Sequence, residues 1–72
     1  MDVKNKIGLR IRELRNKAEI SQMELAELSD LDRTYITSVE NGKRNISIEN
    51  INKIASALNM SLMEFFNDKK FN

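Results

Sequence analysis

Four times in this 72-residue chain a serine or aspartate stands just ahead of an apolar stripe with three-and-four spacing, and no proline occurs anywhere. A short oxygen-bearing side chain in that place accepts a hydrogen bond from an otherwise unpartnered amide of the coming first turn, so it marks a helix start. The four residues are Ser21, Asp32, Ser47 and Ser61. They confine the chain to short helices that are marginal alone and must bury their stripes against one another.

The stripes supply the rest of the architecture. Ile7, Ile11, Leu14 and Ala18 recur at helical spacing and predict an amphipathic first helix over residues 3–18, with Leu9 on its outward face. Ser21-Gln22-Met23-Glu24 has the reciprocal capping-box form and opens a second helix at Gln22, whose apolar residues Leu25, Ala26 and Leu28 give out at Ser29-Asp30. Asp32 caps a third helix from Arg33 to about Asn41, and Gly42 follows where a left-handed residue stops a helix without a Cβ clash. Ser47 starts a fourth helix with inward face Ile48, Ile51, Ile54, Ala55 and Leu58. A second capping box, Ser61-Leu62-Met63-Glu64, opens a short fifth helix carrying Phe65 and Phe66, and residues 68–72 read as a fraying tail. The expected fold is all-α: one compact five-helix domain over 1–72.

Several function classes are excluded by what is missing. With neither cysteine nor histidine, the chain has no disulfide, none of the usual structural zinc sets and no histidine or cysteine to serve as nucleophile or base, and it has no glycine-rich phosphate loop. Neither a cofactor, a metal nor an enzyme activity is expected, because so short a chain encloses no substrate cleft. A domain of this size is only marginally stable alone, which points to dimerisation as the stabilising device. The longest apolar runs are pairs such as Phe65-Phe66, so a membrane span and a signal-peptide core are excluded and the expected location is the cytoplasm.

The net charge is only +1, but it is segregated. Residues 1–20 carry six basic and three acidic residues, 21–32 carry Glu24, Glu27, Asp30 and Asp32 with no base, and 33–45 carry Arg33, Lys43 and Arg44 against Glu40. Arithmetic of this kind is also that of an ordinary solvated surface. Geometry adds more. Two short, separately capped helices over 21–41 let one helix enter a DNA major groove while its predecessor braces across the backbone. If Ile36 and Val39 point inward, Arg33, Thr34, Thr37 and Ser38 lie on other faces, with Arg33 and Thr34 at the end that enters first. Arginine can donate twice to guanine, and a threonine methyl can meet that of thymine. A cation at a helix N-terminus opposes the helix dipole, so Arg33 calls for a reason beyond solubility.

Three runs then carry a likeness: Ser21-Gln22-x-x-Leu25-Ala26, Tyr35-Ile36-x-x-Val39-Glu40-Asn41-Gly42-Lys43-Arg44, and Ile54-Ala55-x-Ala57-Leu58. Together they resemble the phage-repressor-like (XRE-type) helix-turn-helix family. Leu31-Asp32-Arg33-Thr34-Tyr35-Ile36 and Arg44-Asn45-Ile46-Ser47 are most similar to the controller proteins of restriction-modification systems. The resemblance implies a small dimer that binds operator DNA and regulates its own gene and the endonuclease gene, by repression, activation or both. It places base or near-base contacts at Arg33, Thr34, Tyr35 and Ser38, with Thr37 beside them, and a phosphate contact at Gln22. Asn41, Lys43, Arg44 and Asn45 follow the reading helix, where they can clamp the DNA backbone. The resemblance further implies an ion pair between Arg15 and Glu40 that holds the reading helix at its angle.

The late apolar residues exceed what a closing helix needs. Ala57, Met60, Leu62, Met63 and Phe66 are therefore assigned to a dimer interface over about 57–67, with Met63 and Phe66 the more exposed and Leu62 and Phe65 also suited to core. A symmetric dimer would set two reading helices about 34 Å apart on a near-palindromic operator. The acidic residues Glu24, Glu27 and Asp30 offer a surface to RNA polymerase, or simply a solvated helix face. The competing function is an antitoxin-like or adaptor module that uses the same fold to bind protein.

Overall fold

The protein's structure, a computed structural model, describes residues 2–72. They form α1 (Val3–Lys17), α2 (Gln22–Ser29), α3 (Arg33–Glu40), α4 (Ile48–Ala57) and α5 (Leu62–Phe66), followed by a 3-10 turn, Lys69–Phe71. Every α-helix begins at a side-chain cap. Ser21 and Ser61 make complete capping boxes with Glu24 and Glu64, Asp32 accepts from the Thr34 amide at 3.0 Å, and Ser47 accepts from the Asn50 amide at 3.1 Å. The cap of α1 is Asp2, which accepts from the Asn5 amide at 3.0 Å. Gly42, at φ +71°, turns the chain out of α3.

The core is built from one stripe of each helix: Ile7 and Ile11 of α1, Leu25 and Ala26 of α2, Ile36 and Val39 of α3, Ile51, Ile54 and Ala55 of α4, and Phe65 of α5. Burying each larger aliphatic or aromatic side chain is worth about 1.5–3 kcal/mol, and this is what fixes the helices' rotation.

Five expectations about this packing are corrected. Leu28 is 62% exposed, and Ser29 takes the inward place with its hydroxyl donating 2.6 Å to the Leu25 carbonyl. At about 100° per residue, Leu25, Ala26 and Ser29 share a face from which Leu28 is turned well away. Ile48 is 56% exposed because the side chain of a first helical residue tilts back past the helix start, beyond the edge of the core. Ala18 caps the end of α1 and is exposed, and Leu9 is half-buried.

The fifth correction concerns the tail, which is docked. Asp68 caps the 3-10 turn, and the Phe71 ring packs edge-on against Phe66 with centroids 5.1 Å apart. Lys70 Nζ bridges Glu13 at 2.6 Å and Asp68 at 2.8 Å. Arg10 gathers the end of α5, donating to the carbonyls of Phe65 (2.7 Å) and Glu64 (2.9 Å) and to Asp68 (3.2 Å). The carbonyls at a helix C-terminus lack intrahelical partners, so a cation there meets an unmet need.

Candidate nucleic-acid interface

The position of α3 is decided from behind, starting at Gly8. A Cβ on Gly8 would stand 2.7 Å from the Glu40 carbonyl oxygen and closer still to that of Val39, so only glycine lets α1 approach α3 this nearly. That approach brings arginine and glutamate together. The Glu40 side chain is wholly buried, and its carboxylate accepts from Arg15 Nε at 2.7 Å and Arg15 Nη2 at 3.0 Å, a two-pronged pair. Gln22 Nε2 adds a bond of 3.1 Å and Arg12 Nε one of 3.5 Å, while Arg15 Nη1 ties to the Ile20 carbonyl at 3.0 Å.

Burial alone would raise the Glu40 pKa, but the hydrogen bonds from Arg15, Gln22 and Arg12, with the charge of Arg15, outweigh it and hold the carboxyl below its ordinary range. The same bond raises the Arg15 pKa. Glu40 is therefore an ionised hub that joins α1, α2 and α3.

Gln22 continues the network. Its Oε1 accepts from the Thr37 hydroxyl at 2.9 Å, and that hydroxyl also lies 3.1 Å from the Arg33 carbonyl. The side chains of Gln22 and Thr37 thus brace α2 against α3 from within. What Gln22 retains for an outside partner is its main-chain amide, in a first turn that has no intrahelical acceptor.

The opposite side of α3 is open. Arg33 and Thr34 are exposed at its N-terminal end, and Ser38 is half-buried one turn on. Tyr35 is half-buried, with its hydroxyl accepting 3.1 Å from Asn50 Nδ2 and its ring lying 4.8 Å beneath the Arg44 guanidinium. Asn41, Lys43, Arg44 and Asn45 are exposed in the loop after α3, and Asn41 Oδ1 accepts from Arg12 Nη2 at 3.1 Å. Among the described residues Arg33, Lys43 and Arg44 form no ion pair, whereas Arg10, Arg12, Arg15 and Lys70 all do. The three unpaired cations of residues 33–45 lie on and just after α3, and the four paired ones hold the scaffold.

Of the residues assigned to a dimer interface, Met63 is 82% exposed, while Ala57, Met60, Leu62 and Phe66 are half-buried against the core. Sequence reasoning missed Gly8, Arg12 and Asn50 as parts of the site. A glycine inside a helix costs up to about 1 kcal/mol in propensity, and that was a readable hint of close packing at Gly8. Nothing local distinguished Arg12 or Asn50.

A braced helix, a tight turn and a second helix showing an uncompensated basic, hydroxyl-bearing face define a helix-turn-helix domain. Residues 11–65 match the family described as helix-turn-helix. Control protein C.MunI of a Mycoplasma species is 46% identical over 68 residues, covering 93% of this chain and 92% of that one. The crystal structure of the restriction-modification controller protein C.AhdI from Aeromonas hydrophila superposes with TM-score 0.84 at 49% identity, over 88% of this chain and 96% of that one. A structure of C.Esp1396I bound to a 25 base pair operator site superposes with TM-score 0.85 at 33% identity, over 92% of this chain and 87% of that one. The chain belongs to the helix-turn-helix family, within its restriction-modification control proteins.

Proposed function

We propose that this protein binds a near-palindromic operator as a homodimer and so regulates transcription of a restriction-modification system, including its own gene and the endonuclease gene. The observation that carries this reading is the asymmetry of α3: its back is locked by the buried Glu40 hub, and Arg33 and Thr34 stand free at its N-terminal end. A rigid helix presenting unpaired donors is what groove reading needs, since placement within a fraction of an ångström decides a bidentate base contact. The C.Esp1396I complex with its operator gives a relative in which the fold meets DNA.

In this reading Arg33, Thr34, Tyr35 and Ser38 face bases, with Thr37 beside them. Lys43, Arg44, Asn45, Asn41 and the main-chain amide of Gln22 meet phosphates. The single domain spans 1–72, and copies pair through about 57–67, where Met63 is the exposed anchor. The protein regulates without catalysis and works in the cytoplasm; among the described residues no helix is long and apolar enough to cross a membrane. Exposed Glu24, Glu27 and Asp30 on and after α2 are the surface offered to RNA polymerase.

Selection of bound sites from random DNA, followed by titration of the winner against salt, tests the reading. A palindromic consensus and a steep fall of log affinity with log salt are expected. A flat salt response with no enriched sequence would assign the fold to protein binding instead.

A further inference from the structure

We infer that Asn50 is a positioning residue for DNA recognition, one that fixes the Tyr35 phenol as an outward hydrogen-bond donor to an acceptor atom on DNA. The inference rests on the DNA-binding reading above and deepens it. Asn50 stands in the first turn of α4, where its main-chain amide donates 3.1 Å to Ser47 Oγ, so the helix cap holds its backbone. Its side chain crosses to α3 and donates from Nδ2 to the Tyr35 hydroxyl oxygen at 3.1 Å.

The direction of that bond carries the argument. An amide NH2 group only donates, so the phenol oxygen is the acceptor, and the single phenol hydrogen must point elsewhere. Among the described residues no acceptor takes it. The Arg44 guanidinium stacks over one face of the ring, 4.8 Å from its centroid, and the Asn50 N–H occupies the α4 side of the hydroxyl oxygen, so the phenol hydrogen is directed away from α4. Accepting one hydrogen bond also polarises the hydroxyl and strengthens it as a donor. Its surroundings, with Arg44 over the ring and Arg33 two residues earlier, hold cations without carboxylate partners, so the complementary ligand is rich in acceptors. On DNA that means a phosphate oxygen or a base-edge acceptor.

A double-mutant cycle between Tyr35→Phe and Asn50→Asp, measured on operator and on an unrelated duplex with melting curves in parallel, tests this. A carboxylate in the first turn of α4 suits the helix dipole, so Asn50→Asp keeps the fold. It cannot donate, and it captures the phenol hydrogen. Tyr35→Phe should weaken operator binding about 3- to 10-fold, the worth of one hydrogen bond. Asn50→Asp should cost at least as much with tyrosine present and distinctly less in the Tyr35→Phe background, where only its added charge acts. Asn50→Leu, which adds no charge, should show the same coupling.

Losses equal on both duplexes assign the acceptor to phosphate, and losses confined to the operator assign it to a base edge. Equal costs of Asn50→Asp in the two backgrounds, or parental affinity for Asn50→Asp, would overturn the inference. A parent protein without salt-dependent DNA binding overturns the functional reading and this inference together. A parent that binds but shows additive substitutions overturns this inference alone.

Discussion

Two arginines on α1, five residues apart, do opposite work. Arg15 meets a single wholly buried carboxylate and helps to decide where α3 lies; Arg10 meets two helix-end carbonyls and a half-exposed aspartate, and decides where α5 and the tail lie. The difference is one of what is left when the bond is broken. Removing Arg15 strands a charge away from water, whereas removing Arg10 leaves two neutral carbonyls and a partly exposed Asp68 that keeps Lys70 as its partner. α1 is thus a rod with a rigid, charge-locked face under the DNA-reading helix and a looser clasp on its opposite face, toward the proposed dimer region.

The largest effect expected from breaking this contrast is at Arg15. Arg15→Met should cost about 3–5 kcal/mol in chemical denaturation, because Glu40 is then left buried with only Gln22 and the distant Arg12. Next is Gly8→Ala. The gain in helix propensity is outweighed by a Cβ driven into backbone carbonyls, for a net loss of about 1–3 kcal/mol and a parallel loss of operator affinity as α3 is pushed away. Arg10→Met should cost about 1–2 kcal/mol while leaving operator contacts of the folded protein intact. Equal losses for Arg10→Met and Arg15→Met would erase the contrast.

The smallest effect is in the acid limb. The folded Glu40 pKa lies below the unfolded value of about 4.3, so the unfolded chain takes up the proton first. The Glu40 contribution is fully present above that value and is lost as pH falls below it, toward the folded-state pKa. Glu40→Gln should therefore flatten stability against pH below about 4.3, by at most roughly 1.4 kcal/mol per pH unit. Part of the slope should persist, since Glu64, through its cap to Ser61, and Asp68, through Lys70, are lowered as well.

The order and number of the helices were legible because caps are local: Ser21, Asp32, Ser47 and Ser61 each announce a start within four residues. The inward stripes were legible where a helix is centred on the core, as in α3, and failed at Leu28 and Ile48, where an edge or a first turn lets an apolar side chain leave it. The tail was misread because its docking depends on Arg10 and Glu13, more than fifty residues earlier. For the site the division is similar. The exposed end of α3 followed from its buried face by subtraction, but the inward turn of Gln22 and the reach of Asn50 to Tyr35 are tertiary facts that no local spacing encodes.

The central claim is that α3 reads DNA from Arg33, and affinity of Arg33→Ala for the selected operator and for unrelated duplex tests it most directly. Specific affinity should fall by about 1–3 kcal/mol with the melting curve unchanged, preference relaxed at one base position, and unrelated DNA bound nearly as before. An equal loss on both duplexes, or no loss on either, would contradict it.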